Sequence, residues 1–180
     1  MTQPYLNHRI LADICRREQP KRYLEIGVYL GDSLKAVLRN CTPEYIVLCD
    51  LWDGYREVRN RDHIAQILSE EKISPTAVKY LDGDSHVLIP TLAEKFDLIH
   101  VDGDHSESGA LADLKDTWSL LEVGGNLVFD DLLHRFQPHM ADVFRRFSRS
   151  LGDSATVTEW TDLAREDGWA DGCGVLRKVA

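Results

Sequence analysis

The chain has 180 residues, a length that fits one domain, and its content of 43% apolar and 28% charged residues is that of an ordinary globular protein. A formal net charge of −9 argues against a broad nucleic-acid surface, which needs a basic face, and favours a small-molecule partner. No signal-peptide pattern or membrane-length apolar run is present, and no C-x-x-C pair occurs among the cysteines. We therefore expect a cytoplasmic protein that binds no membrane.

Helix and strand patterns alternate along the chain, and the first is an amphipathic helix in LNHRILADICRR. Each of the next five strands is followed by a predicted helix. The strand and helix pairs are RYLEIGV with DSLKAVLRN, YIVLCD with REVRNRDHIAQILSEE, AVKYLDGD with SHVLIPTLAEK (interrupted by Pro90), FDLIHVDGD with ESGALADLKDTWSLLE, and GGNLVFDD with HMADVFRRFSRSL.

The last two predicted strands, ATVTEW and CGVLRKV, are joined by a turn-rich segment without a helix, which favours an antiparallel pair at the sheet edge. Together the patterns predict an α/β fold with seven strands, mostly parallel, and helices on both faces. In such a sheet the ligand binds beyond the carboxyl ends of the strands. The residues at those ends are therefore the candidates for a functional site.

The first strand ends in YLEIGVYLGDS, a turn that two classes of phosphate-binding site do not fit. A P-loop needs a wider glycine spacing and a lysine where Asp32 stands, and a dinucleotide turn needs a glycine where Tyr29 stands. S-adenosylmethionine (SAM) needs an acid for its ammonium group and exposed N–H groups for its carboxylate. Residues of this turn suited to that task are Glu25, Gly27, Gly31 and Ser33. A tight turn with a good helix cap is the alternative interpretation.

The next two strand ends extend this interpretation. Asp50 ends the second strand, where an acid can accept hydrogen bonds from both ribose hydroxyls of a nucleoside. Gly83, Asp84 and Ser85 follow the third strand, at the same end of the sheet. Ser85 fits equally well as a helix cap.

The fourth and fifth strands run into acids that would gather at one sheet edge, namely Asp102, Asp104, Asp130 and Asp131. Unpaired carboxylates repel one another there and resist desolvation, and a divalent cation would relieve the repulsion. Oxygen ligands suit Mg²⁺, Mn²⁺ or Ca²⁺. The alternative is that these acids are solvent-exposed helix caps.

Three stretches together resemble the class I methyltransferases grouped with macrocin O-methyltransferase and the cephalosporin-hydroxylase-like proteins, and more distantly catechol O-methyltransferase. They are YLEIGVYLGDS, LDGDSHVLIPTL and FDLIHVDGDHSESGALADLKDTWSLLEVGGNLVFDD. The resemblance implies one Rossmann-like domain over residues 1–180, with an N-terminal helix (1–19), a catalytic core (20–180) and an antiparallel last strand. It also implies SAM as the cofactor, with Gly83, Asp84, Ser85 and His86 near its adenine.

Carried over to this chain, the resemblance implies Asp102, Asp130 and Asp131 as ligands of Mg²⁺ or Mn²⁺, with Asp102 also near the cofactor. Asp104 stands where related sugar methyltransferases are thought to have a general base. His105 stands where catechol enzymes have a catalytic lysine, and its ordinary pKa suits proton transfer near neutral pH. The missing lysine, and Asp131 in place of an asparagine, argue against catechol as the acceptor.

We therefore expect a SAM-dependent methyltransferase that methylates a hydroxyl of a sugar, phenol or natural product with help from a divalent cation. The alternatives are metal-independent methyl transfer and a non-catalytic nucleoside-binding accessory protein. Tyr55 with its segment LWDGYREVRNRD, LLHRFQPH after the fifth strand, and Trp160 and Trp169 could cover the substrate. A second subunit of a homo-oligomer could do the same.

Overall fold

The structure is a computed structural model that describes residues 4–52, 61–163 and 170–180. Within these ranges seven strands and six α-helices follow the predicted alternation. The strands are β1 (Arg22–Ile26), β2 (Tyr45–Asp50), β3 (Val78–Asp82), β4 (Phe96–Val101), β5 (Leu121–Phe129), β6 (Ala155–Asp162) and β7 (Asp171–Lys178). The helices are α1 (Leu6–Glu18), α2 (Asp32–Leu38), α3 (Arg61–Glu70), α4 (Ser85–Leu88), α5 (Glu107–Leu120) and α6 (Met140–Leu151).

All seven strands belong to one sheet in the order β3-β2-β1-β4-β5-β7-β6. Strands β1 to β5 are parallel, while β7 runs antiparallel to both of its neighbours, β5 and β6. The predicted Rossmann-like α/β fold, with its antiparallel last strand, is confirmed. Strand order reverses between β1 and β4, so the carboxyl ends of these two strands flank the crevice where ligands bind in such sheets.

The central strands are mostly apolar because both faces of the sheet are covered. Helices α1, α2 and α3 pack on one face, in a cluster that includes Leu11, Leu34 and Ile64. Helices α5 and α6 pack on the other face, where Leu114 and Phe144 are completely buried. Helices therefore cover both faces of the sheet, and a ligand can reach the strands at their carboxyl ends.

The structure shifts several predicted element boundaries, two of them within predicted helices. The helix after β3 ends at Leu88 and continues only as a 3₁₀ turn over Ile89–Thr91, because Pro90 cannot donate a backbone hydrogen bond. Strand β5 begins at Leu121, inside the segment predicted as the preceding helix, and runs through Gly124 and Gly125. Residues 56–60 of the helix predicted before β3, and also Tyr55 and Trp169, lie outside the described residues.

Helix α1 is tied to the strand ends by polar contacts. The backbone N–H of Leu6 donates to Asp171 Oδ2 at 2.6 Å, and the Asn7 side chain donates to Asp130. Arg9 pairs with Asp162 at 2.6 Å. These contacts hold the first turn of α1 beside the ends of β5 and β7. No helix within the described ranges is both long and apolar enough to cross a bilayer.

Replacing Phe144 with alanine should lower the free energy of unfolding by about 3–5 kcal/mol, because a large cavity would open under β7. The Phe144 ring stacks on Phe129 with the centroids 5.6 Å apart, and a Cβ added at Gly174 would lie 2.3 Å from it. Urea unfolding measures the change. Phe136→Ala is the matched control: that ring is 68% exposed, and its loss should cost less than about 0.5 kcal/mol. Equal costs would contradict this packing.

Candidate functional site

The turn after β1 needs its glycines for two different reasons. Gly27 has a φ of 80°, and a Cβ there would lie 1.9 Å from the backbone oxygen of Asp102. Gly31 has a φ of 72°, and a Cβ there would lie within 2.9 Å of Ile64 and Ile67. Gly27 therefore lets β1 approach the end of β4, whereas Gly31 lets the turn pack on α3.

Asp50 holds this turn in place. Its Oδ2 accepts hydrogen bonds from the N–H groups of Val28 and Tyr29, at 2.8 and 3.0 Å, and its Oδ1 accepts one from Trp52 N–H at 2.9 Å. Each carboxylate oxygen has two lone pairs, so Oδ1 can accept one further hydrogen bond. The acid at the end of β2 therefore organises the turn while it also lines the main cavity.

The turn after β3 is fixed by a residue on α5. Asp84 caps α4 by accepting from His86 N–H at 2.8 Å. Ser85 donates through its hydroxyl to Asp113 Oδ1 at 2.7 Å, and the other Asp113 oxygen accepts from Asp104 N–H at 3.3 Å. Asp113 is only 1% exposed. It thus joins the turn after β3 to the loop after β4.

A cavity of about 900 Å³ opens at the carboxyl ends of the strands. A smaller cavity of about 380 Å³ adjoins it and shares Gly27, Asp102 and Asp131 with it. The predicted residues in the wall of the larger cavity are Gly27, Asp50, Gly83, Asp84, Ser85, Asp102, Asp104, His105 and Asp131. Ser33 and Asp130 line the smaller one.

Two predicted cofactor residues, Glu25 and Gly31, are not among the described residues that line either cavity. Glu25 is completely buried, and its Oε1 accepts a hydrogen bond from the Ser33 hydroxyl and contacts His100 Nδ1 at 3.3 Å. Glu25 therefore reaches the cavities only through Ser33. Burial acts to lower the pKa of His100, but its contact with Glu25 raises that pKa above the ordinary value.

Asp104 acts as a local cap in the loop before α5. Its Oδ1 accepts from Ser106 N–H at 2.7 Å, and His86 Nε2 lies 3.3 Å from its Oδ2. Burial acts to raise the pKa of Asp104, but the bonds from Ser106 and His86 outweigh it, so the pKa is lowered. A carboxylate with a lowered pKa is a weak proton acceptor.

His105 lies between two carboxylates in the wall of the larger cavity. Its Nε2 is 3.2 Å from Asp102 Oδ1 and 2.8 Å from Asp131 Oδ2. The hydrogen bonds to Asp102 and Asp131 raise the pKa of His105 to about 10, against the effect of burial. The ring stacks on His134 with the centroids 5.4 Å apart, and its backbone oxygen contacts His139 Nε2 at 2.8 Å.

The three predicted metal ligands do not gather into a single group. Among the described residues, ligand atoms lie within 4.8 Å of one another in two sets, His100 with Asp102 and Asp130, and Asp102 with His105 and Asp131. Asp102 is common to both sets. We call them the inner group and the outer group. Asp130 and Asp131 are adjacent in the chain and fall into different groups.

Burial and mutual repulsion dominate the electrostatics of these acids. Burial raises the pKa of Asp130 well above its ordinary value, and the charges of Asp102 and Asp131 raise it further. Burial, followed by the charge of Asp131, also raises the pKa of Asp102, although His105 opposes the shift. The Asn7 side chain and the Asp131 N–H donate to Asp130. Positive charge between these carboxylates would stabilise their ionised forms.

Sequence reasoning missed three residues that shape this site, namely Asp113, Asn7 and His100. Asp113 lies between Ala112 and Leu114 in the predicted helix ESGALADLKDTWSLLE, and nothing in that pattern distinguishes a buried acid from an exposed one. Asn7 contacts a residue 123 positions away, for which a single sequence carries no signal. His100 is in β4, and Asp102 directly follows that strand two positions later, so the alternation of a strand directs both side chains to the same face of the sheet. That period of two could have identified His100.

Gly27→Ala should destabilise the fold more than Gly124→Ala, although both glycines have positive φ values, 80° and 88°. A Cβ at Gly124 meets nothing within 4 Å, so this change should cost only the backbone strain of about 1–2 kcal/mol. At Gly27 the Cβ would also displace the backbone of Asp102, for about 1–3 kcal/mol more. Urea unfolding of both variants measures the difference. Equal losses would show that the close approach costs nothing.

Comparison with known proteins places the chain in a family. Residues 24–132 match a protein family described as Methyltransferase domain. A search of curated proteins finds no significant match. Solved structures share the fold at low sequence identity.

The O-methyltransferase TomG from Streptomyces achromogenes, involved in tomaymycin synthesis and solved with SAM, has a TM-score of 0.76 and 21% identity over 96% of this chain and 79% of its own. An O-methyltransferase from Bacillus cereus in complex with SAH has a TM-score of 0.74 and 15% identity over 98% and 82%. An rRNA methylase from Streptococcus thermophilus has a TM-score of 0.71 and 14% identity, over 100% of this chain and 99% of its own. These likenesses show the fold. The family match shows that the chain belongs to the methyltransferase-domain family and is a class I, SAM-dependent methyltransferase.

Proposed function

We propose that the protein transfers the methyl group of SAM to a hydroxyl of a small molecule, a sugar, phenol or natural product, with a divalent cation, Mg²⁺ or Mn²⁺, bound at the strand ends. The observation that carries this proposal is the position of His105. Its Nε2 lies 2.8 Å from Asp131 and 3.2 Å from Asp102 in the wall of a cavity of about 900 Å³. A hydroxyl in that cavity would have a proton acceptor and two carboxylates within reach.

The cofactor would lie along the turns after β1, β2 and β3, where its sulfonium supplies the methyl group. Gly27 lines the cavity beside Asp102, and Asp50 Oδ1 retains one acceptor position for a ribose hydroxyl. Gly83, Asp84 and Ser85 line the same cavity, where the adenine would lie. Glu25 and Gly31 act indirectly: Glu25 orients Ser33 and Gly31 lets the turn pack.

His105 is a better candidate for the general base than Asp104. The Asp104 carboxylate is occupied by Ser106 N–H and has a lowered pKa, whereas the His105 imidazole faces the cavity beside Asp131. His105 can take the hydroxyl proton only in its neutral form. The two carboxylates that raise its pKa are proposed metal ligands, so their neutralisation would favour that form.

The donor atoms at the strand ends suit a divalent cation. Asp102, Asp130 and Asp131 offer carboxylate oxygens, which hard cations prefer, and the raised pKa values of Asp102 and Asp130 show the cost of leaving that charge unbalanced. A bound cation would supply Lewis-acid polarisation of the acceptor hydroxyl. The chain's own groups would hold the acceptor in line with the methyl group.

A small-molecule acceptor agrees with the size of the cavity and with the net charge of −9, which disfavours a nucleic-acid acceptor even though one protein of the same fold is an rRNA methylase. Likeness to an O-methyltransferase of tomaymycin synthesis supports a natural-product acceptor. The expectations of a single domain over residues 1–180, a cytoplasmic location and a homo-oligomer belong to this proposal.

Metal-independent methyl transfer is the second candidate, and one observation favours it. The His105 imidazole, with its pKa raised to about 10, pairs with both Asp102 and Asp131. As an imidazolium it would balance their charge without a cation. In that form Asp131 and Asp102 would orient the acceptor directly, and Asp104, the other candidate base in the cavity wall, would take the hydroxyl proton.

Asp131→Asn should lower methyl transfer by about 100-fold or more, because His105 loses the partner that orients its ring, and it should leave the affinity for S-adenosylhomocysteine unchanged within about threefold. Transfer of labelled methyl from SAM to a panel of hydroxyl acceptors measures the first quantity, and calorimetry the second. Asp153→Asn, the same change at an exposed position before β6, is the control. Full activity of Asp131→Asn would exclude the proposed role of the outer group.

Dialysis against EDTA should abolish transfer in the metal-assisted reaction, and Mg²⁺ or Mn²⁺ should restore it, because the acceptor hydroxyl would lose its Lewis acid. Binding of S-adenosylhomocysteine, followed in parallel, should survive the treatment. Unchanged turnover after chelation would establish the metal-independent candidate instead.

A further inference from the structure

A buried pair of ionisable residues lies directly beneath the site. Glu25 on β1 and His100 on β4 are adjacent in the sheet register, and both are completely buried. Glu25 Oε1 lies 3.3 Å from His100 Nδ1. A carboxylate in this position fixes the orientation of an imidazole ring through one nitrogen and leaves the other nitrogen to act elsewhere.

The second ring nitrogen of His100 has no hydrogen-bond partner among the described residues. Leaving a buried polar atom unpaired costs about 1–3 kcal/mol, so such an atom in a native fold needs an explanation. A ring nitrogen of His100 lies within 4.8 Å of carboxylate oxygens of Asp102 and Asp130. Because Glu25 occupies Nδ1, Nε2 is the nitrogen available to a ligand shared with these two acids.

We propose that His100 is a metal ligand: its Nε2, with the carboxylates of Asp102 and Asp130, binds a divalent transition-metal ion, and Glu25 orients the ring. This inference rests on the cation-assisted form of the proposed function and revises its ligand set. His100 takes the place of Asp131, which stays paired with His105, so the ion would neutralise only Asp102 of the two carboxylates beside His105. The arrangement matches a general property of metal-binding histidines, which donate their other N–H to a carboxylate.

A nitrogen donor changes which ion the site selects. Mg²⁺ prefers an all-oxygen octahedral shell and keeps several waters, whereas imidazole suits Mn²⁺, Fe²⁺, Co²⁺ or Zn²⁺. One histidine and two carboxylates therefore favour a transition metal over Mg²⁺. The ion would still reach substrate, because Asp102 and Asp130 both line the smaller cavity.

The inner group leaves the outer group free for proton transfer. His105 and Asp131 line the larger cavity, with His105 Nε2 2.8 Å from Asp131 Oδ2. Neither is needed as a ligand when His100 and Asp130 complete the set with Asp102. Asn7 holds Asp130 from the direction of α1, which fixes that carboxylate beside the ion. One shared acid, Asp102, thus connects a metal site to a base site.

The test is Mn²⁺ added alone to the full chain, with pulsed electron paramagnetic resonance to detect coupling between the ion and an imidazole ¹⁴N. The coupling should be present in the wild type, absent in His100→Gln and retained in His105→Gln, the matched control in the outer group. Calorimetry should show Mn²⁺ affinity lowered about 10–100-fold in Glu25→Gln, because the ring loses its orienting carboxylate. In a competition titration, Mg²⁺ should displace Mn²⁺ only at an excess of about tenfold or more.

Three outcomes overturn the inference. Coupling that disappears in His105→Gln and persists in His100→Gln would assign the ion to the outer group. Bound Mn²⁺ without nitrogen coupling, or displaced by equimolar Mg²⁺, would mean an all-oxygen site and would leave the cation-assisted proposal standing. No binding of Mn²⁺ would exclude both the metal site at His100 and the cation-assisted reaction. Binding of S-adenosylhomocysteine would still test separately whether the protein binds the methyltransferase cofactor. Should His100→Gln fail to fold, coupling that persists in His105→Gln supports His100.

Discussion

The accumulation of carboxylates at the carboxyl ends of β4 and β5 is the constraint on which the rest of this site depends. Asp102, Asp130 and Asp131 follow two adjacent strands, and burial together with neighbouring negative charge raises the pKa values of Asp102 and Asp130. Polar side chains lie against these acids: His100 and His105 are each close to Asp102, and the Asn7 amide donates to Asp130. The acids and histidines therefore form the buried inner group and the outer group in the cavity wall.

The architecture explains why so many elements contribute to one edge. In a parallel sheet every carboxyl end points the same way, so five turns converge on the crevice beside β1 and β4. Asp50 ties the first turn to the second, and Asp113 ties the third to the loop after β4. The turns that line the cavity are therefore held to one another by hydrogen bonds. An exposed loop without such bonds would have no fixed position.

Much of this could be predicted from the sequence because apolar runs that end in acids mark both a parallel sheet and its functional edge. Gly27 and Asp50 were found in that way, and the structure places both in the cavity wall. Other features need the third dimension. The direction of Glu25 into the interior and the separation of Asp130 from Asp131 follow from side-chain orientation at a strand end, and Asn7 arrives from a distant helix. Local patterns contain none of this information.

The contact between Gly27 and the backbone of Asp102 has a mechanical meaning. A Cβ at Gly27 would lie 1.9 Å from the Asp102 oxygen, and the Asp102 N–H donates to Ile26 at 2.9 Å, so the two segments are in van der Waals and hydrogen-bond contact at once. They cannot be displaced independently. A displacement of one segment is therefore passed to the other, and any effect that a ligand at the turn had on the affinity for a ligand at Asp102 would be matched by an equal effect of the second ligand on the first.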